Sequence, residues 1–94
     1  MTDIALKLRI HGKVQGVYYR DWTVQTATAL GVDGWVRNRE DGTVEALVVG
    51  DEVAIRALIE RCHQGPERAV VERIDEEPAQ GITPRGQFGR KPTV

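Results

Sequence analysis

Gly12, Gly16, Arg20 and Asn38 are the residues whose types and spacing best suit chemistry, and that chemistry is the handling of an anion. The run Gly12-Lys13-Val14-Gln15-Gly16-Val17-Tyr18-Tyr19-Arg20 sets a two-glycine loop between an alternating apolar strand and an arginine that opens a helix. Where glycine lets the chain bend, successive backbone N–H groups can turn inward, and the first N–H groups of the following helix have no partner of their own. Phosphate is the natural guest of such a cradle. A cation in the first helical turn faces the positive end of the helix dipole at a cost of roughly 0.3–1 kcal/mol. A phosphoryl dianion gripped by the Arg20 guanidinium would offset that cost. On spacing alone, a plain glycine turn with an arginine facing water stays open as the alternative.

Ninety-four residues suit one domain, taken as 1–94, with a single modest core. The net charge of −1 lacks the basic footprint of general nucleic-acid binding, so a charged partner must be met locally. The single cysteine, Cys62, has no partner for an internal disulfide, and with His63 alone it makes no metal set. No apolar stretch is long enough to span a bilayer, and Met1-Thr2-Asp3 does not open a signal peptide. The expectation is a cytoplasmic monomer with no structural zinc site and no cofactor, which binds neither nucleic acid nor membrane.

These residues need elements to position them. Ile4, Leu6, Leu8 and Ile10 alternate with Ala5, Lys7, Arg9 and His11, the pattern of a strand with one buried face. Tyr19, Trp22, Thr26, Ala29 and Leu30 fall at helical spacing, and Gly31 supplies a stop. Strands two and three follow as Gly34-Trp35-Val36-Arg37-Asn38 and Thr43-Val44-Glu45-Ala46-Leu47-Val48-Val49, joined by a turn through Asp41-Gly42. Asp51 suits the cap of a second helix with the stripe Ile55, Leu58, Ile59 and Cys62, ended by Gly65-Pro66. Val70, Val71 and Ile74 mark an edge strand, 77–86 reads as loop, and a short fifth strand falls around 87–90. The order strand-helix-strand-strand-helix-strand is a split β-α-β arrangement: an α+β sandwich with two helices on one face of an antiparallel sheet of four or five strands.

That topology brings a second segment toward the cradle. A crossover helix makes strands one and two parallel, with their C-terminal ends on one side of the sheet. Asn38 ends strand two and so comes near the loop. Asparagine is also an ordinary turn residue. Beside the cradle, however, an uncharged donor and acceptor can orient a water without losing a charge of its own.

At these residues the chain resembles the acylphosphatase family. Its first motif, an apolar residue, any residue, then Gly-x-Val-Gln-Gly-Val-x-(Phe/Met)-Arg, reads here as 10–20, and its second is matched by Gly34-Trp35-Val36-Arg37-Asn38, Gly42-Thr43-Val44 and Gly50. Tyr19 departs from the usual phenylalanine or methionine, so its hydroxyl needs a partner or an exit to water. Arg90 stands where relatives usually carry an apolar residue in the last strand, so a weaker edge is expected there. The resemblance implies a ferredoxin-like fold and metal-independent hydrolysis of an acyl phosphate to a carboxylate and inorganic phosphate. It implies that Arg20 and the backbone amides of Gln15, Gly16, Val17, Tyr18 and Tyr19 bind the phosphoryl oxygens, or inorganic phosphate or a similar anion. Asn38 would orient the attacking water.

No general base is evident. The carboxylate is a good leaving group, and the phosphoryl oxygens can accept the water's proton. His11 reads as a surface residue at the margin of the site, and His63 lies far off at the end of helix two. Broad acyl specificity is expected, because the cradle grips only the group common to all acyl phosphates. The rivals are a phosphate or acyl-phosphate binding module without turnover, an RNA-binding domain of the same fold class, and a carbamoyl-phosphate domain of a larger maturation protein. Strands one and three carry no aromatic platform for RNA, and the chain carries no further domain after the motifs. Trp22 and Trp35 read as packing residues and Asp75-Glu76-Glu77 as a solvated edge.

Overall fold

The computed structural model describes residues 3–80 and 86–94. Its elements are β1 (Asp3–Lys13), α1 (Tyr19–Leu30), β2 (Asp33–Asn38), β3 (Val44–Asp51), α2 (Glu52–Gln64), β4 (Val70–Pro78) and β5 (Phe88–Arg90). One sheet runs in the order β4-β1-β3-β2-β5. The β1–β3, β1–β4 and β2–β3 pairs are antiparallel, and β5 adds parallel to β2. The fold is thus the α+β, ferredoxin-like sandwich that the alternation of the strands predicts, with one parallel pair at its edge.

The core lies between the sheet and the helices. Ile10 stands opposite Val44 and Leu8 opposite Ala46, and these four close with Val36, Val48, Ile55, Leu58 and Phe88 into one buried cluster. Charged Lys7 and Arg9 alternate with them on the other face, which leaves that face to water and to ion pairs.

The buried line of α1 differs from the expected one. Tyr19, Thr23 and Ala27, four apart, face the core, while Ala29 is exposed and Trp22 and Leu30 are half-buried. The reason is Thr23. Its hydroxyl donates back to the Tyr19 carbonyl at 2.7 Å, so a residue that reads as polar sits fully buried without an unmet hydrogen bond. Gly31 caps the helix with its N–H on the Ala27 and Thr28 carbonyls. Asp51 caps α2 by accepting from the Val53 N–H at 3.1 Å.

Strand β4 runs past the expected loop boundary at 77. Lys7 pairs with Glu77 across the ladder and Leu6 with Pro78. An edge position tolerates proline because the missing N–H would face solvent. The remainder of the expected loop includes 81–85, outside the described residues.

Two features fix where the loop after β1 begins. The β1–β4 register shifts between His11 and Gly12, and Gly12 adopts φ 128 there. A Cβ at Gly12 would fall 2.1 Å from the Val70 carbonyl oxygen, so only glycine fits this bulge. At the other end, the Tyr19 hydroxyl donates to the Cys62 carbonyl at 2.6 Å, tying the start of α1 to the last turn of α2. Burial and this neighbour push the Tyr19 phenol well above its ordinary value, and burial pushes the Cys62 thiol up to about 12. Both groups are neutral and structural.

Candidate active site

Residues 14–18 carry the chain from the end of β1 into α1. Gly16 takes φ 73 with open space where a Cβ would stand, and Tyr18, the N-cap of α1, takes φ 69 and ψ 17. Among the described residues Tyr18 is the only non-glycine in the left-handed region. Its side chain makes no cap hydrogen bond, so the first N–H groups of α1 stay available. Within the described residues, no main-chain N–H from 15 to 19 finds a backbone acceptor. Sequence spacing points to the loop but carries no sign of Tyr18's backbone, because bulky residues rarely adopt it.

Of residues 15–19, Gly16, Tyr18 and Tyr19 line a cavity and Gln15 and Val17 do not; Val14, Arg20, Asp21, Asn38 and Arg90 also line it, and its volume is about 80 Å³. That is several times the roughly 10–15 Å³ that one water needs. The Arg20 guanidinium forms no ion pair or side-chain hydrogen bond among the described residues. Asn38, at the end of β2, is 9 % exposed, and its Oδ1 is buried without a hydrogen-bond partner there. A free cation, the N–H donors of Gly16, Tyr18 and Tyr19 and an unmet carbonyl oxygen thus share one cavity. Such an arrangement can hold a tetrahedral anion and accept a hydrogen bond from a water beside it.

Gln15 and Val17 are placed differently. The Gln15 amide donates to the Arg39 and Thr43 carbonyls at 2.7 and 2.8 Å, so its side chain braces the β2–β3 turn, and Gln15 does not line the cavity. Val17 is 7 % exposed and belongs to the core. His11 does not line the cavity: it lies on the open face of the sheet, 3.0 Å from Asp75. A depression of about 250 Å³ on that face is bordered by Lys7, Arg9, His11, Asp75, Glu76 and Glu77. Although larger, its charges are already matched: Arg9 reaches Asp41, His11 reaches Asp75, and Glu76 reaches Arg56. It offers no unpaired cation comparable to Arg20.

Three residues of the cavity go beyond the expected set: the core residue Val14 and the charged pair Asp21 and Arg90. Arg90 Nη1 donates to Asp21 Oδ1 at 2.6 Å, and both line the cavity beside Arg20. Arg90 lies in the short last strand, where the sequence carries no sign of a site. Its partner lies 69 residues away in the chain, beyond any local pattern.

Fold and site together define an α+β domain with a small polar cavity at the first strand-to-helix junction. The acylphosphatase family model matches residues 6–89, and the chain belongs to that family. An acylphosphatase of Acidovorax is 52 % identical over 93 residues, covering 99 % of this chain and 95 % of that protein. One from Rhizorhabdus wittichii is 47 % identical over 91 residues, covering 97 % and 91 %. The structure of an acylphosphatase from Coxiella burnetii superposes with a TM-score of 0.88 at 29 % identity, covering 95 % of this chain and 93 % of that one.

Proposed function

We propose that the chain, as one domain, hydrolyses the carboxyl-phosphate bond of small-molecule acyl phosphates, giving a carboxylate and inorganic phosphate. The observation that carries this is the convergence of unpaired Arg20 and the unmet Asn38 Oδ1 on one cavity in a member of this family.

Arg20 and the N–H groups of residues 15–19 bind the phosphoryl oxygens, and their fixed positive ends match the charge that spreads over those oxygens in the transition state. The Asn38 Oδ1 accepts a hydrogen bond from the attacking water and aims it at phosphorus. The water's proton passes to a phosphoryl oxygen, and the carboxylate departs with the bonding electron pair. Following the family, no metal takes part. A reducing, cytoplasmic setting suits the buried free thiol of Cys62. A monomer suits the scattered positions of the exposed large apolar residues, Tyr18, Val53, Val70 and Val94.

The test is release of phosphate and carboxylate from benzoyl phosphate in the presence of chelator, with Asn38→Ala and Arg20→Ala alongside. Wild type turns over. Asn38→Ala binds phosphate but loses turnover, falling at least about a hundredfold, the scale of losing one preorganised group. Arg20→Ala loses both. Folded wild type that binds phosphate without turnover would instead make the protein a binding module, and loss of phosphate binding in both variants would contradict the separate roles.

A further inference from the structure

A second, wider cavity of about 430 Å³ adjoins the first and is lined by Gly16, Val17, Tyr18, Pro66, Glu67 and Arg68. The two share Gly16 and Tyr18, whereas Asn38 and Arg20 line only the first. The cradle therefore stands between Asn38 and the turn that follows α2. In-line displacement at phosphorus places the leaving group opposite the attacking water. With the water at Asn38, the acyl group must extend away from it, and the second cavity is an opening that adjoins the cradle through Gly16 and Tyr18 without Asn38 in its lining.

We propose that this second cavity is the subsite for the acyl group, and that the Tyr18 ring makes the site prefer acyl phosphates with flat apolar faces, aryl above acetyl. The proposal rests on the phosphoryl group sitting at Arg20. Tyr18 is 57 % exposed and lines this cavity, so its ring is accessible to a ligand there. The left-handed backbone of Tyr18 carries its side chain out of the core. Its hydroxyl accepts a hydrogen bond from Gln25 Nε2 at 2.8 Å, which holds the outer end of the ring. Pro66 supplies an apolar surface in the same cavity. Glu67 and Arg68 are adjacent opposite charges, and neither has an ion pair among the described residues, so this part of the lining has no net charge with which to select. Selection then falls to contact with the ring.

The test compares kcat/KM for benzoyl phosphate and acetyl phosphate in wild type, Tyr18→Asn, Tyr18→Phe and Pro66→Ser. Asparagine tolerates the left-handed backbone, so Tyr18→Asn removes the ring while keeping the loop. The benzoyl-to-acetyl ratio is expected to fall about three- to tenfold in Tyr18→Asn, the scale of one aromatic contact, and about twofold in Pro66→Ser. Tyr18→Phe keeps the ring and should keep the ratio. Benzoate should also become a weaker product inhibitor in Tyr18→Asn while inhibition by inorganic phosphate changes less. An unchanged ratio in Tyr18→Asn and Pro66→Ser, with wild type active on both substrates, would overturn the acyl subsite and leave the hydrolase intact. Wild type active on neither substrate would overturn the hydrolase itself.

Discussion

Single side chains in this protein do their work through the atoms they satisfy. Tyr19 replaces the phenylalanine or methionine usual in the family, and its hydroxyl caps the Cys62 carbonyl, one of the carbonyls that the end of α2 leaves without an intrahelical donor. Tyr19→Phe should lower stability by about 1 kcal/mol in denaturant titration. Glu45 is a second case. Its side chain is 3 % exposed on the open face of the sheet, 2.7 Å from Arg37, 3.2 Å from Arg39, 3.8 Å from Arg9 and 4.0 Å from Lys7. Burial alone would push its carboxyl up, but the hydrogen bonds and charges of Arg37 and Arg39 outweigh that and hold it below its ordinary 4.5. A lowered folded value means that the stabilisation is present above 4.5 and lost as pH falls through the folded value. Glu45→Gln should therefore cost about 1–3 kcal/mol at neutral pH. Stability curves of variant and wild type should converge as the solution is acidified below 4.5.

At the scale of elements, the site is held by ties between pieces distant in sequence. The Asp21–Arg90 pair joins α1 to β5 at the cavity wall, and it does more than tether. An unmatched Asp21 carboxylate would face the bound anion and repel it, so Arg90→Gln should weaken inorganic phosphate binding about two- to fivefold. Asp21→Asn should have the opposite sign, and adding it to Arg90→Gln should restore affinity. Calorimetric titration of the four proteins distinguishes this from a plain tether, for which both single changes weaken binding and the double change restores nothing. These ties also explain what could be read in the chain beforehand. Strands and helices were legible because alternation, helical spacing and glycines are local, and the place of Asn38 beside the loop after β1 followed from topology. The face of α1 was not, because Thr23 hides its hydroxyl against the Tyr19 carbonyl and behaves as a core residue. Nothing in the strand-three pattern marks Glu45 as buried, yet Arg9 from β1, Arg37 from the end of β2 and Arg39 just after it cover it. The brace from Gln15 to the Arg39 and Thr43 carbonyls and the Asp21–Arg90 pair depend on contacts that no short pattern encodes.

At the scale of the whole molecule, the candidate site joins the segment after β1, the start of α1, the end of β2 and β5, pieces far apart in the sequence. Phosphate should consequently act as a global stabiliser. At about 100 times its Kd it should add about 2.7 kcal/mol to unfolding by mass action. Melting curves should show this increment in wild type and Asn38→Ala and not in Arg20→Ala. The order of the sheet carries one more consequence, for the chain while it is being made. Both outer neighbours, β4 beside β1 and β5 beside β2, are drawn from residues after 69. A nascent chain that has released α2 already holds the central three strands and both helices, with two bare strand edges open to any neighbour. Translation of the last quarter of the sequence covers those two edges, and it also delivers Arg90 to the cavity, so the site receives its final wall in the same stretch of synthesis that makes the sheet safe from its neighbours.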